Sequence, residues 1–321
     1  GLVNLGNTCF FNSVMQNLLA VRYLKDYFLN PVAGGASEGP LTSALRRFFL
    51  EINGDNLEAF SGNAKKRHRD YTTYNPKGLF GALCSKSSRF SGYHQQDSHE
   101  LLRCLLDGLQ VEGKHKESEE KNSTNGKEDH TFVDHLFGGQ FASTVTCCEC
   151  GHSSSVLEPF LDVSLPIPFI TAKSLEGCLQ AFTKLEVLSG ENAWGCDNCT
   201  RRKATKRLVI RKAPPVLTVH LKRFAQDMRG RLSKLTGHVA FDELLNLSPF
   251  LSASRDGGLY RLVGVVEHSG TMKGGHYVAF VRGGSAGDGK ENFWYYISDS
   301  DVRRTTLDQV LRSEAYLLFY E

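Results

Sequence analysis

Apolar residues in the first third of the chain recur at intervals of three and four. From Cys9 onward, Phe11, Val14, Met15 and Leu18 share one helical face, and Asn7 and Thr8 stand where a cap is needed. The stretch from Leu41 to Ile52 repeats the pattern with Leu45, Phe48, Phe49 and Ile52. Asp97 to Leu109 repeats it again with Leu101, Leu102, Leu105, Leu106 and Leu109, opened by an acid at the positive end of the helix dipole. The small residues from Gly34 to Gly39 read as a flexible loop.

Residues 112–130, EGKHKESEEKNSTNGKEDH, break the pattern. Ten of the nineteen are Asp, Glu or Lys and none is a large apolar residue. Such a segment cannot bury enough surface to offset its ordering entropy, so it reads as a mobile insertion whose deletion should leave activity nearly unchanged. Past it the period shortens to that of strands. Phe141 to Thr146, Val163 to Ile167, Arg207 to Ile210, Val216 to Leu221, Tyr260 to Glu267, Tyr277 to Arg282, Phe293 to Ile297 and Tyr316 to Tyr320 are rich in aromatic and β-branched residues. A helical block followed by antiparallel-looking strands predicts an α+β fold rather than alternating βαβ units. No internal repeat is present.

Composition narrows the function classes. Of 321 residues 40% are hydrophobic and 23% charged, which suits a globular chain and excludes general disorder. The longest apolar run, Ala315 to Tyr320, is far short of the roughly 20 residues that cross a bilayer. A net charge of +3 is too even to point to nucleic acid. The basic clusters KKRHR (Lys65 to Arg69) and RRKATKR (Arg201 to Arg207) lack interleaved aromatics and read as solvated surface, with an acidic protein partner as the alternative. Nine cysteines, an odd number with two Cys-x-x-Cys pairs, favour a reduced, intracellular compartment over a disulfide framework. The chain opens on Gly with no signal-type apolar segment, and reads as a domain cut from something longer.

Two constellations carry chemistry. Cys9 stands where a Gly-Asn-Thr turn enters a helix, and free backbone N–H groups with the helix dipole should lower its pKa. The bland alternative is a small buried cysteine. Near the other end, His276 follows two glycines and opens a strand, and the next strand closes on Ser298, Asp299 and Ser300. Antiparallel pairing brings that triplet back beside His276, and Cys, His and a polar orienting group make a thiol hydrolase. Cys147, Cys150, Cys196 and Cys199 supply four thiolates for structural zinc, with thioredoxin-like redox chemistry the rival for a single pair. The 45 residues between the pairs exceed a compact ribbon, so the knuckles must meet from separate strand pairs. Cys148 leaves one knuckle's ligand open, and Cys84, Cys104 and Cys178 read as core.

The chain as a whole resembles the ubiquitin-specific proteases. GLVNLGNTCFFNSVMQNLL is similar to that family's cysteine box, and GGHYVAFVR with WYYISDSDV to its histidine box. YHQQDSHELL (Tyr93 to Leu102) resembles its Gln-Gln-Asp helix start, and PPVLTVHLKRF (Pro214 to Phe224) its Leu-Lys-Arg-Phe strand. The wording is nearest a plant branch and its animal relatives. The resemblance implies one catalytic domain over 1–321 with a papain-like core: a helical thumb (1–111), the charged insertion, zinc-bearing β fingers (131–213) and an antiparallel β palm (214–321). It implies a deubiquitinase acting on ubiquitin and ubiquitylated proteins in cytoplasm or nucleus. Cys9 would be nucleophile, His276 general base and Asn4 oxyanion donor. Asp97 would pair with an arginine of ubiquitin's tail, Gly274 and Gly275 would admit its Gly-Gly end, and His268 would either line the cleft or be structural. Most family members place Asp or Asn where this chain has Ser298. Alternation along a strand lets only one of Ser298 and Asp299 face His276; by alignment it is Ser298, with Asp299 the alternative if the chain turns. A catalytically silent ubiquitin-binding module and a protease for another ubiquitin-like modifier remain as other readings.

Overall fold

The computed structural model describes residues 1–30, 38–60, 72–92, 94–120, 130–168, 173–199, 203–226, 230, 232–252, 258–271, 274–283 and 293–321. Lys65 to Arg69, Tyr93, 121–129, the stretch 34–37 of the small-residue patch, and Arg201 and Arg202 lie outside the described residues.

The first part of the chain is helical: α1 (Cys9–Ala20), α2 (Arg22–Leu29), α3 (Pro40–Phe60), α4 (Lys77–Lys86), α5 (Ser98–Glu120) and α6 (Phe132–Leu136). The apolar stripes read from the sequence are the core. Phe11, Val14, Leu18, Leu41, Phe49, Leu101 and Leu105 are fully or almost fully buried in one cluster. At the start of α1 the expected cap is absent. Thr8 Oγ1 accepts from the Leu5 N–H at 2.9 Å instead, so the hydroxyl shapes the entering turn and not the helix.

The charged segment differs from expectation. α5 does not stop near Leu109 but runs to Glu120, so a helical face continues past the supposed boundary at 111. Glu112 is 7% exposed and accepts from the N–H groups of Leu41 (3.1 Å) and Thr42 (2.8 Å) and from Thr42 Oγ1 (2.9 Å), with Lys86 Nζ at 2.9 Å. A carboxylate that caps a neighbouring helix can be buried despite its charge. Window composition hid this contact because its partners lie 70 residues away.

The remaining elements are β1 (Gly139–Cys147), β2 (Ser153–Phe160), β3 (Val163–Leu165), α7 (Leu175–Phe182), β4 (Glu186–Leu188), β5 (Ala204–Lys212), β6 (Leu217–Leu221), β7 (Phe224–Gln226), β8 (Leu232–Lys234), β9 (Leu244–Asn246), β10 (Leu259–Thr271), β11 (Gly274–Gly283), β12 (Phe293–Ser298), β13 (Asp301–Thr305), α8 (Leu307–Leu311) and β14 (Ala315–Tyr320). Strands form in all eight expected stretches, although β3 stops at Leu165 short of Ile167 and β6 starts at Leu217. The larger sheet runs β13-β12-β11-β10-β14-β6-β3 with β9 on β10; a four-stranded sheet runs β2-β1-β5-β4; β7 and β8 form a short hairpin. Among the described residues every ladder between two of these strands is antiparallel except β3 with β6. The smaller sheet projects as a thin layer, seven of eight β2 residues being exposed. α1 packs across β10 and β11, which sets the first helix of the chain against its last sheet. No helix among the described residues is long and apolar enough to cross a membrane.

Candidate active site

The turn before α1 is tied by one side chain. Asn4 Oδ1 accepts from the N–H groups of Gly6 (2.9 Å) and Thr8 (3.1 Å), while Gly6 and Asn7 take left-handed φ values of 105° and 55°. Asn4 Nδ2 is thereby turned outward and donates to Asp299 Oδ2 at 2.8 Å. Cys9 follows as the first residue of α1, 3% exposed. Burial pushes its thiol above the ordinary value and the Asp299 charge adds to this; N–H groups of Tyr277, Phe10 and Cys9 itself oppose the rise without overcoming it. The expected depression is therefore reversed. Desolvation of the thiolate, invisible in a local window, outweighs the helix start.

His276 sits on β11, held by the β10–β11 hairpin through the pair Ser269↔His276. Its Nε2 lies 2.8 Å from Ser298 Oγ. β12 ends at Ser298, and Asp299 turns away with φ +52°. Its Oδ1 accepts from Asn12 Nδ2 at 2.7 Å and its Oδ2 takes Asn4, so Ser298 alone of the two touches the imidazole. The Tyr277 N–H, next along from His276, reaches the Cys9 sulfur. No hydrogen bond joins Cys9 to His276 among the described residues, as is common before substrate tightens such pairs.

The substrate residues suggested by the resemblance have other neighbours. Asp97 Oδ1 caps α5 through the N–H groups of His99 (2.7 Å) and Glu100 (3.1 Å), and Oδ2 accepts from Tyr316 OH at 2.5 Å. Gly275 is bracketed by Gln95, whose Oε1 accepts the Gly275 N–H at 2.8 Å and whose Nε2 donates to the Gly275 C=O at 2.7 Å. A Cβ on Gly275 would meet Ser269 O at 2.2 Å and His268 Nε2 at 2.3 Å, so hairpin packing already demands glycine there; Gly274 is open. His268 is 5% exposed, its ring 4.5 Å from Tyr277 and 5.5 Å from Phe224, and burial draws its pKa down to about 4. It belongs to the packed interior and does not line an open cleft.

Sequence reasoning missed two features. Asn12 is a polar residue inside the apolar stripe of α1, which was the available signal. The second is a thumb-to-palm network with no signal in any one window. Asp162 binds His99 Nε2 (3.0 Å), Ser164 Oγ (2.8 Å) and Arg103 Nη1 (2.8 Å), and Ser164 Oγ lies 2.9 Å from His220 Nδ1. The His99 and His220 rings stack at 3.8 Å. These partners hold the Asp162 carboxyl well below its usual range despite burial, and burial pulls His220 down to about 3.

At the tip of the smaller sheet, Cys147 Sγ lies 3.6 Å from Cys199 Sγ and Cys150 Sγ 3.6 Å from Cys196 Sγ, all four sulfurs falling within 4.8 Å of one another. A tetrahedral ion with metal–sulfur bonds of about 2.3 Å requires sulfur–sulfur edges of about 3.8 Å. The cluster therefore fits a four-coordinate metal. None of the four is in a disulfide, and the 3.6 Å contacts run between the knuckles, as shared ligation of one ion requires. The backbone N–H of His152, aided by Asn198, draws Cys150 down to about 6. Cys148 is exposed and stands outside the cluster, while Cys178 is buried and Cys84 and Cys104 pack half-buried against the core.

A family model described as ubiquitin carboxyl-terminal hydrolase matches residues 1–320. Ubiquitin carboxyl-terminal hydrolase 2 of Bos taurus is 35% identical over 356 residues, covering all of this chain and 54% of its own length. Ubiquitin carboxyl-terminal hydrolase 1 of Arabidopsis thaliana is 46% identical over 172 residues, covering 52% of this chain and 15% of its own. The chain spans about half the length of the Bos taurus and Homo sapiens relatives. Among solved structures, a SAGA Ubp8/Sgf11/Sus1/Sgf73 DUB module bound to ubiquitin aldehyde matches with a TM-score of 0.79 and 28% identity, over all of this chain and 68% of that one. The helical thumb, β palm and β fingers implied by the motifs are thus the fold observed, and the chain belongs to the ubiquitin carboxyl-terminal hydrolase family.

Proposed function

We propose that this chain is a cysteine-type deubiquitinase that hydrolyses the isopeptide or peptide bond after the C-terminal glycine of ubiquitin. The observation that carries the reading is the meeting of Cys9 on α1 with the β11 edge that bears His276, whose Nε2 is engaged by Ser298 and whose Nδ1 is thereby left for chemistry.

A thiol raised by burial is a poor spontaneous nucleophile, so His276 must take its proton as the sulfur attacks the carbonyl carbon. The oxyanion accepts from Asn4 Nδ2, which has one N–H on Asp299 and a second to give, and from backbone N–H groups. His276 then protonates the departing amine, and water activated by the same imidazole releases ubiquitin's carboxylate. Ser298 fixes the imidazole tautomer, and Asp299 acts through Asn4. Asp97 receives a substrate arginine on lone pairs its cap leaves open, Gly274 and Gly275 border the substrate's glycines, and His268 backs this wall from inside. Cys147, Cys150, Cys196 and Cys199 hold zinc as a fold-stabilising ion at the fingertips. Partners are ubiquitin and ubiquitylated proteins, with no role proposed for nucleic acid or membrane, and the compartment is intracellular.

Hydrolysis of a fluorogenic ubiquitin C-terminal amide tests the reading. The wild-type chain should turn it over and Cys9→Ala should not. Binding of ubiquitin without turnover would favour the silent module, and turnover confined to another modifier would move the substrate.

A further inference from the structure

Asn12 lies one helical turn beyond Cys9 and is 1% exposed, between the fully buried Phe11 and Val14. A carboxamide there has surrendered its hydration, and each of its groups left unpaired is destabilising. Its Nδ2 donates to Asp299 Oδ1 at 2.7 Å and to Val3 O at 3.3 Å, while its Oδ1 has no partner among the described residues. The orientation is dictated by charge, since a flipped amide would set Oδ1 against the Asp299 carboxylate. The helix thus leaves an acceptor unpaired in order to aim a donor at Asp299.

That carboxylate sits between two carboxamides. Oδ1 takes Asn12 and Oδ2 takes Asn4, while the Asp299 C=O accepts the Leu2 N–H at 2.9 Å. Asn4 is gripped at its other end by the Gly6 and Thr8 N–H groups. With Oδ1 and one N–H of Asn4 both engaged, the plane of its amide is fixed and its second N–H has one direction left. Removing Asn12 frees one oxygen of Asp299 at the end of β12 and loosens the anchor of Asn4.

We propose that Asn12 is a positioning residue for oxyanion binding: it fixes Asp299, and through Asp299 the Asn4 carboxamide. The proposal rests on the function proposed above. The test exploits the directional chain of hydrogen bonds. Asn12→Asp keeps the shape and removes the donor; adding Asp299→Asn restores a donor–acceptor match at both ends. With the fluorogenic ubiquitin amide, Asn12→Asp should lower kcat by about 10–100-fold with KM within about threefold, as for loss of a transition-state contact. The double variant should recover at least about tenfold of that loss. Alkylation of Cys9 by iodoacetamide, read by peptide mass spectrometry, needs no oxyanion and should stay within about threefold of wild type.

Alkylation falling in step with kcat, or a double variant no faster than Asn12→Asp, would overturn the proposal in favour of a structural role in α1. If Asn12→Asp does not fold, Asn12→Ser combined with Asn4→Ala decides: a double variant no slower than Asn4→Ala supports it, and additive losses refute it. A wild-type chain that fails to cleave the ubiquitin amide would instead defeat the functional reading beneath it.

Discussion

Cys9 is buried at the mouth of α1 with Phe10 and Phe11 beside it, whereas Cys150 at the fingertip is exposed and borders a strand, β2, with seven of eight residues in solvent. Around Cys9, polar groups from residues 4, 12, 276, 298 and 299 are brought together by the packing of one large core. Around the four cysteines, two knuckles separated by 45 residues meet on a thin sheet with little apolar surface to hold them. Folding energy fixes the first geometry, while the second is one that a four-coordinate metal fits. Single changes in the cleft should therefore alter rate and spare the fold, and single changes at the fingertip should do the reverse.

The largest effect expected from separating these regions is at Ser298. Ser298→Ala should lower kcat by one to three orders of magnitude, roughly as expected for an orienting group, with an unchanged melting temperature. Ser298→Asp or Ser298→Asn should retain activity, because either still offers an acceptor to the imidazole. A silent Ser298→Ala would move the orienting role elsewhere. Cys196→Ser is the counterpart at the fingertip. It should abolish metal binding, measured as about one zinc per chain in the parent, and speed amide exchange in β1 and β5. Ubiquitin-amide kcat/KM should fall roughly tenfold, mostly through KM, since the ion touches no reacting atom.

Acid should weaken the cleft side of the molecule in a defined window. His220 and His268 are kept neutral by burial, with folded pKa values of about 3 and about 4. The unfolded chain takes up protons at these residues below about 6.5, and the folded chain does not until those lower values. Stability is therefore present above about pH 6.5 and lost as pH falls toward 4, by on the order of 1.4 kcal/mol per unit for each residue. Asp162, held low by His99, Ser164 and Arg103, adds a loss as pH falls below about 4. Urea titrations at pH 7 and pH 5 measure the slope, and His220→Gln should flatten it. The smallest effect concerns Glu112, which belongs to neither region. Glu112→Gln should cost about 1–3 kcal/mol by weakening the cap on α3, with kcat unaltered. Deletion of 112–130 should now destabilise the fold, whereas a deletion that spares α5 should not.

Much of this was legible because periodicity reports burial directly. The stripes of α1, α3 and α5 and the eight expected strand stretches came from local pattern, while Ser298 rather than Asp299 came from the family resemblance, alternation saying only that one of the two could face His276. What failed required partners distant in sequence. Glu112 looked solvated until Leu41 and Thr42 were seen 70 residues away. The helix start at Cys9 promised a low pKa, but its burial in the core cluster, assembled from residues distant in sequence, raises it. For His268 the sequence left a cleft and a structural role open, and the ring packs against Phe224 and Tyr277. Gly275 carries a packing duty that no short window shows, whereas the cap that Asp97 places on α5 was legible as an acid at the helix start.

The most direct test of the central claim is reaction of the wild-type chain with ubiquitin carrying an electrophile at its C-terminal glycine, followed by peptide mapping. One ubiquitin should attach per chain, on Cys9, with Cys147, Cys150, Cys196 and Cys199 unmodified and His276→Ala greatly slowing the reaction. A folded, metal-replete chain that forms no adduct, or forms it on a cysteine other than Cys9, would contradict the account.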